Sequence, residues 1–226
     1  RVRVAVRRPE LAGHLQPLGR VGQIHAVQAN VRYPASVEAA MRDSQVAINL
    51  VGILAEGGGQ SFDAVQVKGA ETIAKAAAAN GGRMVHVSAL GADAGSDSLY
   101  AASKARGEAA VLRYRPDAVI LRPSVIFGPD DKFYNRIAAM SRLGPVMMLP
   151  AAEAEIQPVY VLDVAQAAAK AAKGEAEPGI YELGGPEVLT MRALARQVLD
   201  TIGRRRAILG MPGLLARPLA AVLDGV

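Results

Sequence analysis

Cysteine and tryptophan are both absent from this chain, and aromatic residues of all kinds make up only 4%. Without thiols no disulfide framework and no thiolate metal site can form, which fits a reducing compartment. The three histidines, His14, His25 and His86, lie too far apart to make a ligand-spaced pair, so no metal site is expected. No run of about 18 apolar residues occurs, so no membrane span is expected, and no signal peptide is visible. With so few rings, the core has to be built from Ala, Val, Leu and Ile, which a chain that is 51% hydrophobic supplies. Blocks of one charge are missing as well. The net charge of +5 is spread along 226 residues, which argues against nucleic acid as the first partner. Phosphates of a small ligand and an anionic membrane surface fit it equally well.

The chain is organised around YAASKARGE, from Tyr100 to Glu108. Tyr100 and Lys104 are four residues apart, so on a helix they stand on the same face. A phenol titrates near pH 10, too high for proton transfer at neutral pH, and a fixed ammonium beside it lowers that value. Such a pair suits general acid–base work on a carbonyl or alcohol oxygen. The competing interpretation is a surface helix with an incidental Tyr and a solvated Lys.

Context favours the first reading. RMVHVSAL reads as a buried strand reaching Ser88, and AVILRPSVIFGP is a second apolar strand after the helix, which Pro116 ends. Strand, loop with Ser, helix with Tyr and Lys, strand is a βαβ unit with its polar groups at one end. Ahead of it, RVRVAVRRPE alternates like a strand, followed by a helix-like stretch. QIHAVQANV is a second strand and PASVEAAMRDS a short helix. QVAINLVGIL is nearly all apolar, as in a strand buried on both faces. After the AEGGGQ loop, SFDAVQVKGAETIAKAAAANGG reads as one long helix stopped at Asn80–Gly81.

Beyond Gly128 the pattern changes. DKFYNRIAAMSRLG reads as a helix, PVMMLP as extended, and QPVYVLDVAQAAAKAAKGE as a short strand and helix. GIYELGGPEVLTMRALARQVLDTIG is a strand, a turn and a helix capped near Thr190. The final GMPGLLARPLAAVLDGV is apolar but broken by Pro212, Gly213, Arg217 and Pro218. It reads as a helix packed on its own domain, or as a segment lying on a membrane or a partner.

This order of pieces resembles the short-chain dehydrogenase/reductase superfamily in its extended or atypical branch. Two stretches, RPSVIFGPDDKFYNRIAAMSRLGP and QPVYVLDVA, carry a narrower likeness. They resemble the nucleotide-binding accessory subunits of respiratory complex I and their bacterial relatives. The resemblance implies an α/β, Rossmann-like, doubly wound parallel sheet, with 1–226 as a single NAD(P)-binding domain and 130–226 contributing a small C-terminal lobe. The first ten residues look like the family's second strand. The first strand, its glycine-rich loop and the helix after it are not in this sequence, so a fragment is expected, with a gap beside the Val2–Val6 strand unless the chain closes it.

The same resemblance implies a site. In a dinucleotide fold an acid after this strand binds a ribose 2′-hydroxyl, whereas Arg accommodates a 2′-phosphate. Arg7 and Arg8 stand there, against a reading as two solvated loop arginines, so NADP(H) is expected over NAD(H). Asn30 and Val31 would sit near the adenine. Leu50, Val51 and Gly52 would pass close to the cofactor, although Gly52 also reads as an ordinary strand-end residue. Pro123 and Ser124 would lie beside the nicotinamide, and Lys104 would bond its ribose. Tyr100 would move the proton, and a Ser88 hydroxyl would polarise the oxygen.

Two departures put turnover in question. Active extended members carry two hydroxyl residues in a row at the strand end, and here the pair is Ser88–Ala89. The loop from Ser88 to Tyr100 is also short for a sugar-nucleotide enzyme. The first expectation is therefore an NADP(H)-holding protein accessory to a quinone-linked respiratory complex or to quinone biosynthesis, cytoplasmic and peripheral on the inner face of the membrane. The alternative is an active oxidoreductase, epimerase or dehydratase working through Tyr100 and Lys104.

Overall fold

The computed structural model describes residues 1–211. The apolar stretch read above as a terminal packing or surface segment lies, from Pro212 onward, outside the described residues. The chain divides into two compact units, Arg1–Arg122 with Ala168–Tyr181, and Pro123–Ala167 with Glu182–Val226.

The first unit opens with β1 (Val2–Val6), whose alternating sequence pairs in parallel with β2 (Ile24–Gln28) from Val2↔Ile24 to Val6↔Gln28. The helix-like stretch between them forms two 3₁₀ turns, Pro9–Leu11 and Gly13–Leu18. Pro17, lacking an N–H, sits inside the second and prevents an α-helix. Helix α1 (Pro34–Met41) begins on a proline, whose fixed φ suits a first turn. Strand β3 (Val46–Asn49) follows. The long helix expected next is present, but its first turn, Asp63–Val67, is π-helical before it continues as α2 (Lys68–Ala79). Asn80 closes it and Gly81 takes a left-handed φ of 65°, as the stop signal predicts.

Strand β4 (Arg83–Val87) leads to α3 (Leu99–Tyr114), which Ser98 caps by accepting from the Ala101 N–H. Helix α3 stops two residues before Pro116, whose ring disfavours helical geometry at Arg115. Strand β5 (Val119–Pro123) returns beside β4. The second unit contains β6 (Ile126–Phe127), α4 (Phe133–Met140), β7 (Val146–Pro150), β8 (Glu155–Ile156) and β9 (Val159–Tyr160). Helix α5 (Val161–Lys173) and β10 (Gly179–Leu183) each have residues in both units. Then come β11 (Leu189–Thr190), α6 (Met191–Thr201) and β12 (Ala207–Met211). Thr190 caps α6 as its sequence foretells, accepting from the Ala193 N–H at 3.1 Å.

One four-stranded sheet runs β10-β5-β4-β3, with β3–β4 and β4–β5 parallel. Strands β1 and β2 form a separate two-stranded sheet. The gap expected beside Val2–Val6 is therefore present as a break in hydrogen bonding between β1 and β3. Strand β3 also differs from its sequence reading. QVAINLVGIL was expected to be a strand covered on both faces. The strand is only four residues long and ends its sheet, and among the described residues Ile48 and Leu50 are left 45% and 71% exposed.

The first unit's core is alanine-rich, as the scarcity of rings requires. Ala47, Ala70, Ala74, Ala77 and Ala118 pack with Met84 and Val111. The second unit's core is built from larger aliphatics: Ile137, Met147, Leu149, Leu194, Val198 and Leu199, between α4, α6 and the β7–β12 pair.

Candidate functional site

The C-terminal ends of β3 and β4 and the first two turns of α3 gather an unusual set of buried polar side chains. Lys104, 6% exposed, donates from Nζ to the Val87 carbonyl oxygen at 3.0 Å. Burial lowers its pKa to about 8, against the smaller upward pull of Glu108. A buried ammonium disfavours its own charge because water no longer solvates it. Ser88, 5% exposed, has no hydrogen-bond partner for Oγ, and the Gln66 Oε1 is likewise buried and unpartnered.

Tyr100 stands in the first turn of α3, edge-on to Phe62 with ring centroids 6.0 Å apart. Burial pushes its pKa up, and no charge offsets that effect. The expected lowering by Lys104 is therefore not what this arrangement gives. The ammonium is engaged with Val87, and Tyr100 is protonated at neutral pH.

Two residues that the sequence reading passed over hold the loop after β3. Asn49 donates from Nδ2 to His86 Nδ1 at 2.9 Å and accepts at Oδ1 from the Val51 N–H at 3.0 Å. His86 is buried, and desolvation, with a smaller contribution from the Lys104 charge, brings its pKa down to about 3. The imidazole is thus neutral, with Nδ1 as acceptor. Gln66 donates to the Ile53 carbonyl at 3.1 Å. Leu50, Val51 and Gly52 are thus fastened from both sides by buried amides, and Gly52 lies near the Lys104 ammonium. The available signal was a polar residue within an otherwise apolar stretch, Asn49 in QVAINLV and Gln66 in FDAVQVKGA.

Glu108, one turn beyond Lys104, is the third omission. Helical spacing pairs it with Lys104, but its carboxylate takes both prongs of the Arg122 guanidinium, at 2.9 and 2.7 Å, tying α3 to β5. A methyl at Gly107 would overlap the Gln66 carbonyl oxygen, so only glycine lets the π-helical turn and α3 approach so closely.

The remaining expected residues are spread along the strand ends. Arg7, exposed after β1, donates to Gln60 Oε1 at 3.2 Å, and Arg8 is exposed beside it. Asn30 accepts at Oδ1 from the Arg32 N–H at 3.1 Å, and Val31 packs against Gly69. Pro123 and Ser124 belong to the second unit, where the Ser124 N–H donates to Leu183 at 2.9 Å. The structure thus brings together Ser88, Lys104 and Gly52, while Arg7, Arg8, Asn30 and Val31 form a separate group at the ends of β1 and β2.

Parallel strands, helical crossovers and a polar corner at the strand ends define a Rossmann-like fold of the short-chain dehydrogenase/reductase type. Comparison with known proteins narrows this. Residues 92–224 match the family described as RmlD substrate binding domain. The chain is 35% identical over 216 residues to the mitochondrial NADH dehydrogenase [ubiquinone] 1 alpha subcomplex subunit 9 of Arabidopsis thaliana, covering 93% of this chain and 54% of that protein. It is 32% identical over 165 residues to the ceramide reductase of Caulobacter vibrioides, covering 73% of this chain and 51% of that protein. The chain therefore spans about half the length of these curated relatives.

The dTDP-4-dehydrorhamnose reductase of Bacillus anthracis, solved in complex with NADP, superposes with a TM-score of 0.76 over 92% of this chain and 83% of that one. At 15% identity that likeness is one of fold. The chain belongs to the RmlD substrate binding domain family, as an atypical short-chain dehydrogenase/reductase related to the complex I subunit.

Proposed function

We propose that this chain is part of an NADP(H)-holding protein whose role is accessory to a quinone-linked respiratory complex or to quinone biosynthesis, working at the inner face of the membrane. The observation that carries this reading is the state of the Tyr100–Lys104 pair. Lys104 is buried on the Val87 carbonyl, Tyr100 is raised by burial alone, and Ala89 stands where a second hydroxyl would be needed. Such a site holds a nucleotide better than it turns one over. The likeness to a respiratory-complex subunit supports the partner.

The residues present fit the cofactor. Lys104 gives one of its N–H groups to Val87, which leaves others for ribose hydroxyls. The unpartnered Ser88 Oγ and Gln66 Oε1 face no protein partner that a ligand would have to displace. Asn49 and Gln66 hold the Leu50–Gly52 backbone in place for it. NADP(H), when bound, supplies or accepts hydride. Arg7 and Arg8, with no acid beside them before Glu10, suit a 2′-phosphate.

The test is nucleotide titration of the complete protein. NADPH should bind more tightly than NADH, Lys104→Ala should weaken both, and replacing Arg7 and Arg8 by Ala should weaken only NADPH. Tighter NADH binding in the unaltered protein would refute the preference.

The second reading is an active reductase, favoured by the likeness to a ceramide reductase and by the i,i+4 spacing of Tyr100 and Lys104. It requires turnover that Tyr100→Phe lowers by about 10²–10⁴-fold. Under the accessory role Tyr100→Phe leaves NADPH affinity and complex assembly nearly unchanged.

A further inference from the structure

The second unit carries an exposed tip where two turns meet. Residues 142–145 lead from α4 into β7, and residues 203–206 lead from α6 into β12. The two strands are parallel and pair from Val146↔Ala207 onward, so both turns lie at the same end of them. The Ala207 N–H donates to the Pro145 carbonyl at 3.1 Å, which joins the turns directly. Met211, the last described residue, pairs with Pro150 at the opposite end.

These two turns read RLGP and GRRR, with Arg142, Arg204, Arg205 and Arg206 and no acid. Asp200, exposed on the last turn of α6, is the nearest acid in the sequence. Among the described residues no ion pair engages any of the four guanidinium groups. Two of the arginines have a structural task. Arg206 donates from Nε to the Ser141 carbonyl at 2.8 Å, and Arg204 donates from Nη1 to the same oxygen at 3.3 Å. They satisfy the C-terminal end of α4, where cations suit the helix dipole. That task leaves out Arg142 and Arg205, which are exposed and have no side-chain partner among the described residues.

The aliphatics beside them are as unusual as the charges. Leu143, next to Arg142, is 86% exposed, and Ile202, just before the second turn, is 41% exposed. Neither belongs to the unit's core. Clustered like charge disfavours the isolated molecule, and an anionic partner relieves it.

We propose that this tip docks on an anionic lipid surface. Leu143 and Ile202 enter the headgroup layer, while Arg142 and Arg205 lie on lipid phosphates. Arginines alone suit any polyanion, and a bare aliphatic alone suits any apolar partner. The two side by side match an interface in which phosphates lie directly over hydrocarbon. A nucleic acid would use the arginines through its phosphates without needing Leu143. The proposal takes its choice of partner from the membrane placement proposed above and depends on no other part of that reading. Nucleotide titration can therefore fail while vesicle binding holds, and the reverse.

The test is cosedimentation of the complete protein with vesicles. Phosphatidylcholine vesicles containing about one part in three phosphatidylglycerol should retain it, and pure phosphatidylcholine should not. Replacing Arg142 and Arg205 together by Ala should lower the partition coefficient by about tenfold or more, at roughly fivefold for each charge near the surface. Leu143→Ser should lower it by about tenfold through lost apolar burial. Circular dichroism and the urea midpoint should stay unchanged in both variants, since neither removes a side-chain bond. Ile202→Ser is the second apolar variant should Leu143→Ser unfold, and Arg205→Gln the second charge variant. Three results would overturn the proposal. One is vesicle binding that neither the arginines nor Leu143 affects. Another is a Leu143→Ser variant that loses stability and keeps its vesicle binding, because the leucine would then be covered by the protein's own chain. The third is a DNA oligonucleotide bound through the arginines as tightly as the vesicles, with Leu143→Ser making no difference to either.

Discussion

The two units bury different chemistry. The first hides Asn49, Gln66, His86, Ser88, Ser103, Lys104 and Glu108 from solvent, whereas in the second Ser141 is the one buried polar side chain among the described residues. The second unit's interior is a set of interlocking aliphatics between α4, α6 and the β7–β12 pair. Burying an ionisable group costs free energy unless it is paired, so the first unit gives up stability that the second does not. That sacrifice is concentrated at the ends of β3 and β4, where the candidate site lies, as is usual where groups are held for binding or chemistry.

The contrast can be broken most sharply at Glu108. Glu108→Ala removes the buried carboxylate that holds both prongs of Arg122, so it should lower unfolding free energy by as much as about 3–5 kcal/mol. Urea titration measures this, and a loss below about 1 kcal/mol would mean that the Arg122 pair behaves like a surface one. In the second unit, Leu194, fully buried, should cost about 2–5 kcal/mol as Leu194→Ala, with the same loss at every pH from 5 to 9. A pH-dependent loss there would erase the distinction between the units.

The third test uses Lys104. Its folded-state pKa of about 8 lies below the ordinary 10.5, so between those values the unfolded chain holds a proton that the folded chain has released. Stability contributed by this group therefore rises with pH across that window, by about 2–3 kcal/mol at most. Urea unfolding at pH 8, 9 and 10 should show a rise in the unaltered protein that Lys104→Met lacks. Parallel profiles would mean that the ammonium is better solvated than its burial implies.

Features set by local chemistry were legible in the sequence. The Thr190 cap, the Asn80–Gly81 stop, the Pro116 break and the parallel strand–helix alternation all depend on neighbours within a turn or two. The polar network was not legible, because its partners meet only after folding. Asn49 and His86 are 37 residues apart, and Glu108 leaves its helical neighbour Lys104 for Arg122 on β5. Spacing alone placed Tyr100 and Lys104 on one face. It could not reveal that Phe62 would crowd the phenol or that Val87 would occupy the ammonium.

The π-helical turn at Asp63–Val67 bears on how this chain tolerates changes in length. Such a turn holds one more residue than the α-helical turn it replaces. Deleting one residue within it would regularise the helix and leave the following face in register, with the preceding loop absorbing the change. The same deletion after Lys68 would swing Ala70, Ala74 and Ala77 by about 100° off the core they fill. Natural insertions and deletions in this helix should accordingly fall ahead of Lys68, in the turn that already carries a spare residue.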